Sequence, residues 1–255
     1  MATNTSVFNA ITNANQFLRS FSFPEDGQRK IVPSKYSGTL NQELVDEIIQ
    51  KTKYLSWSEI RNGARKLVSE FQPEGKFLIH LEKQIGSETI LLAETWDLWQ
   101  NKLPSGFIDK DTKFQPNETV QIIILDDWSL TGNRKVGLID ELTYHNPNTI
   151  FRFHVLIPYI TREARIALQS ICPDITISSI DRHYPVNTVE IPMEFTHHIN
   201  AECGSEHLFC VYSDLKIPDS FCCPRVFYQH TVTPPPFNLK NELIRFFPDW
   251  SPTTM

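Results

Sequence analysis

The chain has 255 residues, enough for one α/β domain with extensions or for two small domains. Apolar residues make up 40% and charged residues 21% of it, as in ordinary globular proteins, and the net charge of −6 argues against broad nucleic-acid binding. Its five cysteines are too few for a disulfide framework, and no apolar run approaches the roughly 20 residues that span a bilayer. Since the first residues also lack the features of a signal peptide, we expect a cytoplasmic protein without a membrane segment.

The first 75 residues are predicted to form a mainly helical extension. Apolar residues at helical spacing predict a helix over residues 41–53. Ser56 and Glu59 then have the spacing of a capping box, which predicts the start of another helix that ends near Phe71. This extension contains no pattern that indicates chemistry.

Strands alternate with helices in the middle of the chain, and residues 101–119 form a loop or a pair of weak strands between them. Short apolar or alternating runs predict the strands. Alternation of this kind is typical of βαβ units, so we predict an α/β fold with a parallel sheet flanked by helices. The predicted strands are 76–81, 120–125, 149–158 and 174–180, and the predicted helices are 87–100, 134–142 and a helix capped by Thr161.

The strand at 120–125 ends in two adjacent carboxylates, Asp126 and Asp127. A short polar loop, 129–133, follows them, and a helix begins near Arg134. Ligands of open α/β sheets bind at the carboxyl ends of the strands, and loop amides at a helix N-terminus suit a phosphate group. Because adjacent carboxylates repel each other, the pair is a candidate for ligand binding. A solvated strand end that caps the helix is the alternative.

Residues 123–132 resemble the ribose-phosphate motif of type I phosphoribosyltransferases, in which apolar residues lead to two acidic residues, a loop with Thr-Gly and a helix. The resemblance implies a phosphoribosyltransferase-like core at 76–215, between the helical extension at 1–75 and an irregular C-terminal segment at 216–255. The Pro-Tyr pair within 157–161 is similar to one in the phosphoribosyltransferase-like proteins of bacterial conflict and defence systems.

The resemblance also implies a role for each matching residue. Asp126 and Asp127, the catalytic pair, would hydrogen-bond the ribose hydroxyls of phosphoribosyl pyrophosphate, and Mg²⁺ would neutralise its pyrophosphate. Lys83, after the first strand, would contact the pyrophosphate, and Lys216 would contact the base. The residues that would hold the 5′-phosphate are Ser129, Leu130, Thr131, Gly132, Asn133 and Arg134.

Two residues depart from the motif. Leu130 stands where a hydroxyl residue is usual, and Arg134 stands where a second Thr or Ser closes the loop, although its guanidinium can still donate to a phosphate. These departures leave two functions open. One is an enzyme that moves a phosphoribosyl group to a base, and the other is a non-catalytic nucleotide-sensing or protein-interaction module. The acceptor base and the oligomeric state do not follow from the residues.

A histidine and cysteine cluster near the C-terminus is a second candidate site. The spacing of Cys203, His207 and Cys210 suggests zinc, but the cluster lacks a paired Cys-x-x-Cys and matches no regular zinc module, so buried cysteines are the preferred interpretation. The chain has neither a Walker loop nor a Gly-x-Ser-x-Gly elbow. The members of the cluster are His197, His198, Cys203, His207, Cys210, Cys222 and Cys223.

Overall fold

The computed structural model describes residues 42–81, 87–102, 104–181 and 183–190, with residue 12 and short strands at 30–31, 207–209, 211–213 and 232–233. The helices with defined bounds are α1 (Gln42–Lys51), α2 (Trp57–Glu70), α3 (Ser87–Glu94), α4 (Trp96–Gln100), α5 (Asn133–His145) and α6 (Arg162–Ile171). The strands are β1 (Lys30–Ile31), β2 (Lys53–Leu55), β3 (Leu78–His80), β4 (Gly106–Ile108), β5 (Thr119–Leu125), β6 (Trp128–Ser129), β7 (Ile150–Leu156), β8 (Tyr159–Ile160), β9 (Thr176–Ser178), β10 (Thr188–Glu190), β11 (His207–Phe209), β12 (Val211–Ser213) and β13 (Val232–Thr233).

The chain forms two compact units. The described residues of the first unit lie mainly within Ile60–Tyr184, with gaps at 82–86, 103 and 182, and those of the second include 42–59 and 185–190. The domain boundaries predicted after residues 75 and 215 stay predictions. In the described parts of the chain, no helix is long and apolar enough to cross a membrane.

A five-stranded sheet is the framework of the first unit. Its strand order is β4-β3-β5-β7-β9, and every neighbouring pair is parallel. The central strand β5 pairs with β7 along its whole length, from Thr119 opposite Ile150 to Leu125 opposite Leu156. Every residue of β5 after Thr119 is buried, as expected for a strand covered on both faces. The predicted α/β fold with a parallel sheet flanked by helices is confirmed.

Alternate side chains of β5 pack into two separate apolar clusters. Ile122 and Ile124 belong to a cluster with the inner residues of α5 and α6. Ile123 and Leu125 belong to a cluster with residues of α2, α3 and α4. Because successive side chains of a strand point to opposite faces, one apolar run supplies both cores. The sheet of the first unit therefore lies between two layers of helices.

Two predicted helix starts are confirmed by their caps. The Ser56 amide donates to Glu59 Oε2 at 2.8 Å, and the Glu59 amide donates to Ser56 Oγ at 3.2 Å, which completes the capping box. At the start of α6, the Ala164 amide donates to Thr161 Oγ1 at 3.1 Å. Side-chain oxygens therefore satisfy amides that have no partner within the helix.

The helix predicted at 87–100 is divided into α3 and α4 at Thr95. The Thr95 hydroxyl donates to the Leu91 carbonyl at 2.6 Å and accepts from Trp99 Nε1 at 3.0 Å. A threonine that bonds back to a carbonyl four residues earlier competes with the regular helix and often bends it. The bend brings the buried Trp99 into the cluster on the α2, α3 and α4 side of the sheet.

The second unit contains short pairs of strands. β2 pairs in parallel with β12, while β10 pairs with β11 and β1 pairs with β13 in antiparallel fashion. β11 and β12 are close together in the chain but have different partners. A hydrogen bond joins β2 to the segment before β10: Lys53 Nζ donates to the Pro185 carbonyl at 2.9 Å.

Candidate functional site

The acidic pair lies at the carboxyl end of β5, the central strand of the sheet. The Asp126 amide donates to the Leu156 carbonyl at 3.2 Å, so the ladder between β5 and β7 continues one residue beyond the strand. Asp126 is 4% exposed and Asp127 is fully buried. Carboxylates that are taken out of water need opposite charges or hydrogen-bond donors around them.

A buried lysine supplies one of these charges. Lys135, in the first turn of α5, is 2% exposed, and its Nζ lies 3.4 Å from Asp126 Oδ2. On the other side of the carboxylate, the Ser87 hydroxyl donates to Asp126 Oδ1 over a long 3.4 Å. Ser87 is the first residue of α3, and its hydroxyl is directed to Asp126.

A third buried carboxylate, Glu88, lies in the first turn of α3 and is 1% exposed. Its Oε1 lies 3.7 Å from Nη2 of Arg134, whose side chain is half exposed. The N-termini of α3 and α5 therefore both approach the end of β5. Helix N-termini carry partial positive charge, which stabilises the carboxylates gathered there.

The loop from β5 to α5 is held against the neighbouring loop by its own small sheet. Trp128 and Ser129 form β6, which pairs in parallel with β8. The Thr161 amide donates to the Ser129 carbonyl at 3.1 Å, and the Thr161 hydroxyl donates to the Leu130 carbonyl. Leu130 is buried by this packing. The path of the loop after the acidic pair is thus fixed by its neighbour.

Gly132 ends the loop and is the N-cap of α5, with a φ of 75°. A Cβ at this position would lie 2.9 Å from the Ala164 carbonyl oxygen and 3.2 Å from Ala164 Cα, both backbone atoms of α6. Positive φ and close approach together require glycine here. No side chain caps the first turn of α5 at its N-cap.

The first turn of α5 carries two cations, Arg134 and Lys135, and no acidic residue. Cations at a helix N-terminus oppose the helix dipole, so their positions are unfavourable unless an anion is close by. Lys135 meets this condition through Asp126. Arg134 meets it through the buried Glu88, 3.7 Å away, and its half-exposed side chain can also donate to an anion that binds at the helix end.

The structure brings most of the predicted site residues to one edge of the sheet. Lys83 and Lys216 lie outside the described residues, as do most members of the histidine and cysteine cluster, so their predicted roles stay predictions. In the described ranges, no three His, Cys, Asp or Glu side chains are grouped so that they could hold a metal ion. The predicted residues that meet at this edge are Asp126, Asp127, Ser129, Leu130, Thr131, Gly132, Asn133 and Arg134.

The sequence interpretation missed three residues of this site, namely Ser87, Glu88 and Lys135. Lys135 could have been identified from helical spacing. It stands three, four and seven residues before the buried residues of α5 and therefore lies on the same face of the helix. Ser87 and Glu88 had none, since Ser87 is separated from Asp126 by 39 residues. The buried residues that complete the stripe are Leu138, Ile139 and Leu142.

Several solved structures resemble this chain in fold. The crystal structure of the purine phosphoribosyltransferase from Pyrococcus horikoshii Ot3 matches 54% of this chain and 98% of its own, with 17% sequence identity and a TM-score of 0.30. At this identity and TM-score the likeness carries no argument about activity. No family model matches the sequence, and no curated protein matches it.

Proposed function

We propose that the loop between β5 and α5 binds a phosphorylated ribose, as found in phosphoribosyl pyrophosphate or in a nucleotide. The observation that carries the proposal is that the acidic pair and the basic N-terminus of α5 meet at one edge of the parallel sheet. Carboxylates accept hydrogen bonds from ribose hydroxyls, while helix amides and Arg134 donate to phosphate oxygens. The resemblance of residues 123–132 to the phosphoribosyltransferase motif supports the same ligand.

If the protein is an enzyme, it transfers the phosphoribosyl group to a base. The bond from the anomeric carbon to pyrophosphate breaks, a bond from that carbon to a base nitrogen forms, and the nitrogen loses its proton. Asp126 and Asp127 would hold the ribose while positive charge develops at the anomeric carbon. Lys83 would contact the leaving pyrophosphate and Lys216 would contact the base.

Mg²⁺ enters this proposal only as the counter-ion of the ligand's pyrophosphate. The residues that the structure describes do not form a metal site of their own. No catalytic step is therefore assigned to a metal, and the described side chains bind and orient the ribose and the phosphate.

Non-catalytic nucleotide binding, for sensing or for interaction with a protein partner, is the second candidate function. Two observations favour it. Lys135 already neutralises Asp126, one of the two carboxylates that an active enzyme would direct at the ribose. Leu130, in the place of a hydroxyl residue, is buried, and its carbonyl accepts from Thr161. Partners of such a module include a second copy of the chain.

The test is calorimetric titration of phosphoribosyl pyrophosphate with Mg²⁺, and of adenosine monophosphate, into the full chain. The variant Asp126→Asn/Asp127→Asn removes both charges of the pair. Each hydrogen bond to a charged group contributes about 1.5–3 kcal/mol, so the variant should bind at least about a hundredfold more weakly than wild type. Pyrophosphate release with a panel of bases then separates the enzyme from the sensor.

The matched control is Asp140→Asn/Glu141→Gln, which removes an exposed adjacent acidic pair from the same helix α5 and changes the net charge equally. Its affinity should equal that of wild type. Circular dichroism and a thermal melt establish that both variants are folded. A folded wild-type protein that binds none of these ligands would remove the proposed function.

A further inference from the structure

We propose that Lys135 is the resident cation of Asp126, and that the loop therefore binds a ribose with a single 5′-phosphate without a divalent metal ion. This inference rests on the proposed function and narrows it to one class of ligand. The class comprises ribose 5-phosphate and the nucleoside 5′-monophosphates.

The first observation is the burial of Lys135. Lysine is almost never fully buried unless it is paired, yet Lys135 is 2% exposed and occupies the first position of the buried stripe of α5. Its partner is Asp126, 3.4 Å away and also buried. An apolar residue would pack better on this buried face of α5. We therefore attribute the lysine at this position to the need of the Asp126 carboxylate for a positive charge.

The second observation is that protein groups face both oxygens of Asp126. Lys135 Nζ faces Oδ2, and the Ser87 hydroxyl faces Oδ1 at 3.4 Å. A divalent cation that approached this carboxylate would meet the ammonium at close range, where like charges repel strongly in a medium of low dielectric. A ribose hydroxyl brings no charge, and the lone pairs left on a carboxylate can accept from it.

The third observation concerns the charge available to the phosphate. A phosphate monoester carries about −1.5 to −2 charges at pH 7. The guanidinium of Arg134, which also lies 3.7 Å from the buried Glu88, and the partial positive charge at the N-terminus of α5 supply positive charge to the phosphate without a metal ion. Gly132, which has no side chain at the N-cap, lets a ligand approach the backbone closely.

The experiment is calorimetric titration of ribose 5-phosphate into the full chain, once with EDTA and once with MgCl₂. Wild type should bind equally in both conditions. Lys135→Met keeps the length of the side chain and removes its charge. In EDTA it should lose at least about tenfold in affinity, and Mg²⁺ should restore the loss because the carboxylate then lacks its cation. If Lys135 served only in packing, its replacement would leave the dependence of affinity on Mg²⁺ unchanged.

Two further variants complete the test. Lys135→Arg keeps the positive charge and should bind without metal, as wild type does. Lys66→Met removes an exposed lysine from α2 and should change neither the affinity nor the metal response. If Lys135→Met does not fold, the wild-type comparison and the arginine variant decide the question.

Wild-type binding that appears only with Mg²⁺ would overturn the inference, as would a Lys135→Met variant whose affinity and metal response equal those of wild type. Binding of phosphoribosyl pyrophosphate with Mg²⁺, but not of ribose 5-phosphate, would also overturn it and leave the proposed function standing. Failure to bind any phosphorylated ribose would remove both.

Discussion

Among single residues, Gly132 has the most constrained position in the site, because its φ of 75° and its contact with Ala164 both exclude a side chain. We expect Gly132→Ala to lower the free energy of unfolding by about 1–3 kcal/mol, the usual cost of such backbone strain. Urea denaturation followed by circular dichroism measures the effect. The same variant should weaken binding of phosphorylated ribose, since the N-terminus of α5 must shift.

Gly137 provides the control for this substitution. It lies in α5, is exposed, and a Cβ there would meet nothing within 4 Å. Since alanine favours helices over glycine by about 1 kcal/mol, Gly137→Ala should raise the free energy of unfolding. Equal effects of the two alanines would contradict the strain assigned to Gly132.

We expect His154 to make the free energy of unfolding depend on pH. Burial lowers the pKa of its imidazole, which lies edge-on to Phe71. The Gln121 amide nitrogen is 2.9 Å from Nε2 of His154. Protonation of Nε2 would therefore place its N–H group against the N–H group of the amide. The unfolded chain therefore takes up this proton first as the pH falls below about 6.5, and the free energy of unfolding should fall until the pH passes the lowered folded-state pKa.

Denaturation of wild type and His154→Gln between about pH 7 and pH 5 measures this contribution, because the imidazole titrates within that range. The variant should show a flatter dependence on pH. His183→Gln, at an exposed position, serves as the control for the loss of a histidine. A wild-type slope in the His154 variant would show that another group titrates.

Among the secondary-structure elements, α2 is joined to α3 and α4 by Arg65. Its Nη1 and Nη2 donate to the two carboxylate oxygens of Asp97 at 3.0 and 2.7 Å, and Nη1 also donates to the Glu94 carbonyl at 2.7 Å. The hydrogen bond from Arg65 holds the pKa of Asp97 below its ordinary value. One guanidinium thus aligns the helices that cover one face of the sheet.

We expect Arg65→Lys to lower the free energy of unfolding by about 0.5–1 kcal/mol at neutral pH, because lysine keeps the charge but loses the bidentate geometry. The pair is partly exposed, so a larger effect is not expected. Since the pKa of Asp97 is lowered on folding, its contribution is present above about pH 3.9 and is lost as the pH falls through the folded-state value.

Urea denaturation at about pH 7 and again at about pH 3, below the ordinary carboxyl pKa, tests this prediction. The difference between wild type and Arg65→Lys should narrow at the lower pH. Arg162→Lys, an exposed arginine of α6, should have no effect at either pH. A difference that stays constant with pH would mean that Arg65 acts through packing of its aliphatic chain.

For the molecule as a whole, the fold class could be predicted because central parallel strands are apolar on both faces. The run that became β5 was recognisable for that reason, whereas β7 carries Arg152 and His154 between apolar residues. Short pairs such as β6 with β8 could not be predicted, since two-residue strands are defined by a distant partner and carry no periodicity. The division between α3 and α4 depends on the hydroxyl of Thr95, and helix propensity does not indicate that this hydroxyl bonds back to a helix carbonyl.

The candidate site was predictable where its residues are continuous in the chain. The segment from Asp126 to Arg134 carries its chemistry in order, so the strand end, the loop and the helix start could each be placed. The contributions of Ser87 and Glu88 could not be placed, because they depend on how α3 packs against β5. Lys135 was accessible in principle, since helical periodicity assigns it to the buried face of α5.

The pairing of β6 with β8 restricts where insertions and deletions can occur in this protein during evolution. Ser129 and Leu130 are both bonded to Thr161, and Gly132 lies against Ala164, so the number of residues between Asp127 and Gly132 is set by a second loop. An insertion or deletion in one loop would require a matching change in the other. Divergent descendants of this sequence should therefore tolerate gaps elsewhere on the surface sooner than in this loop.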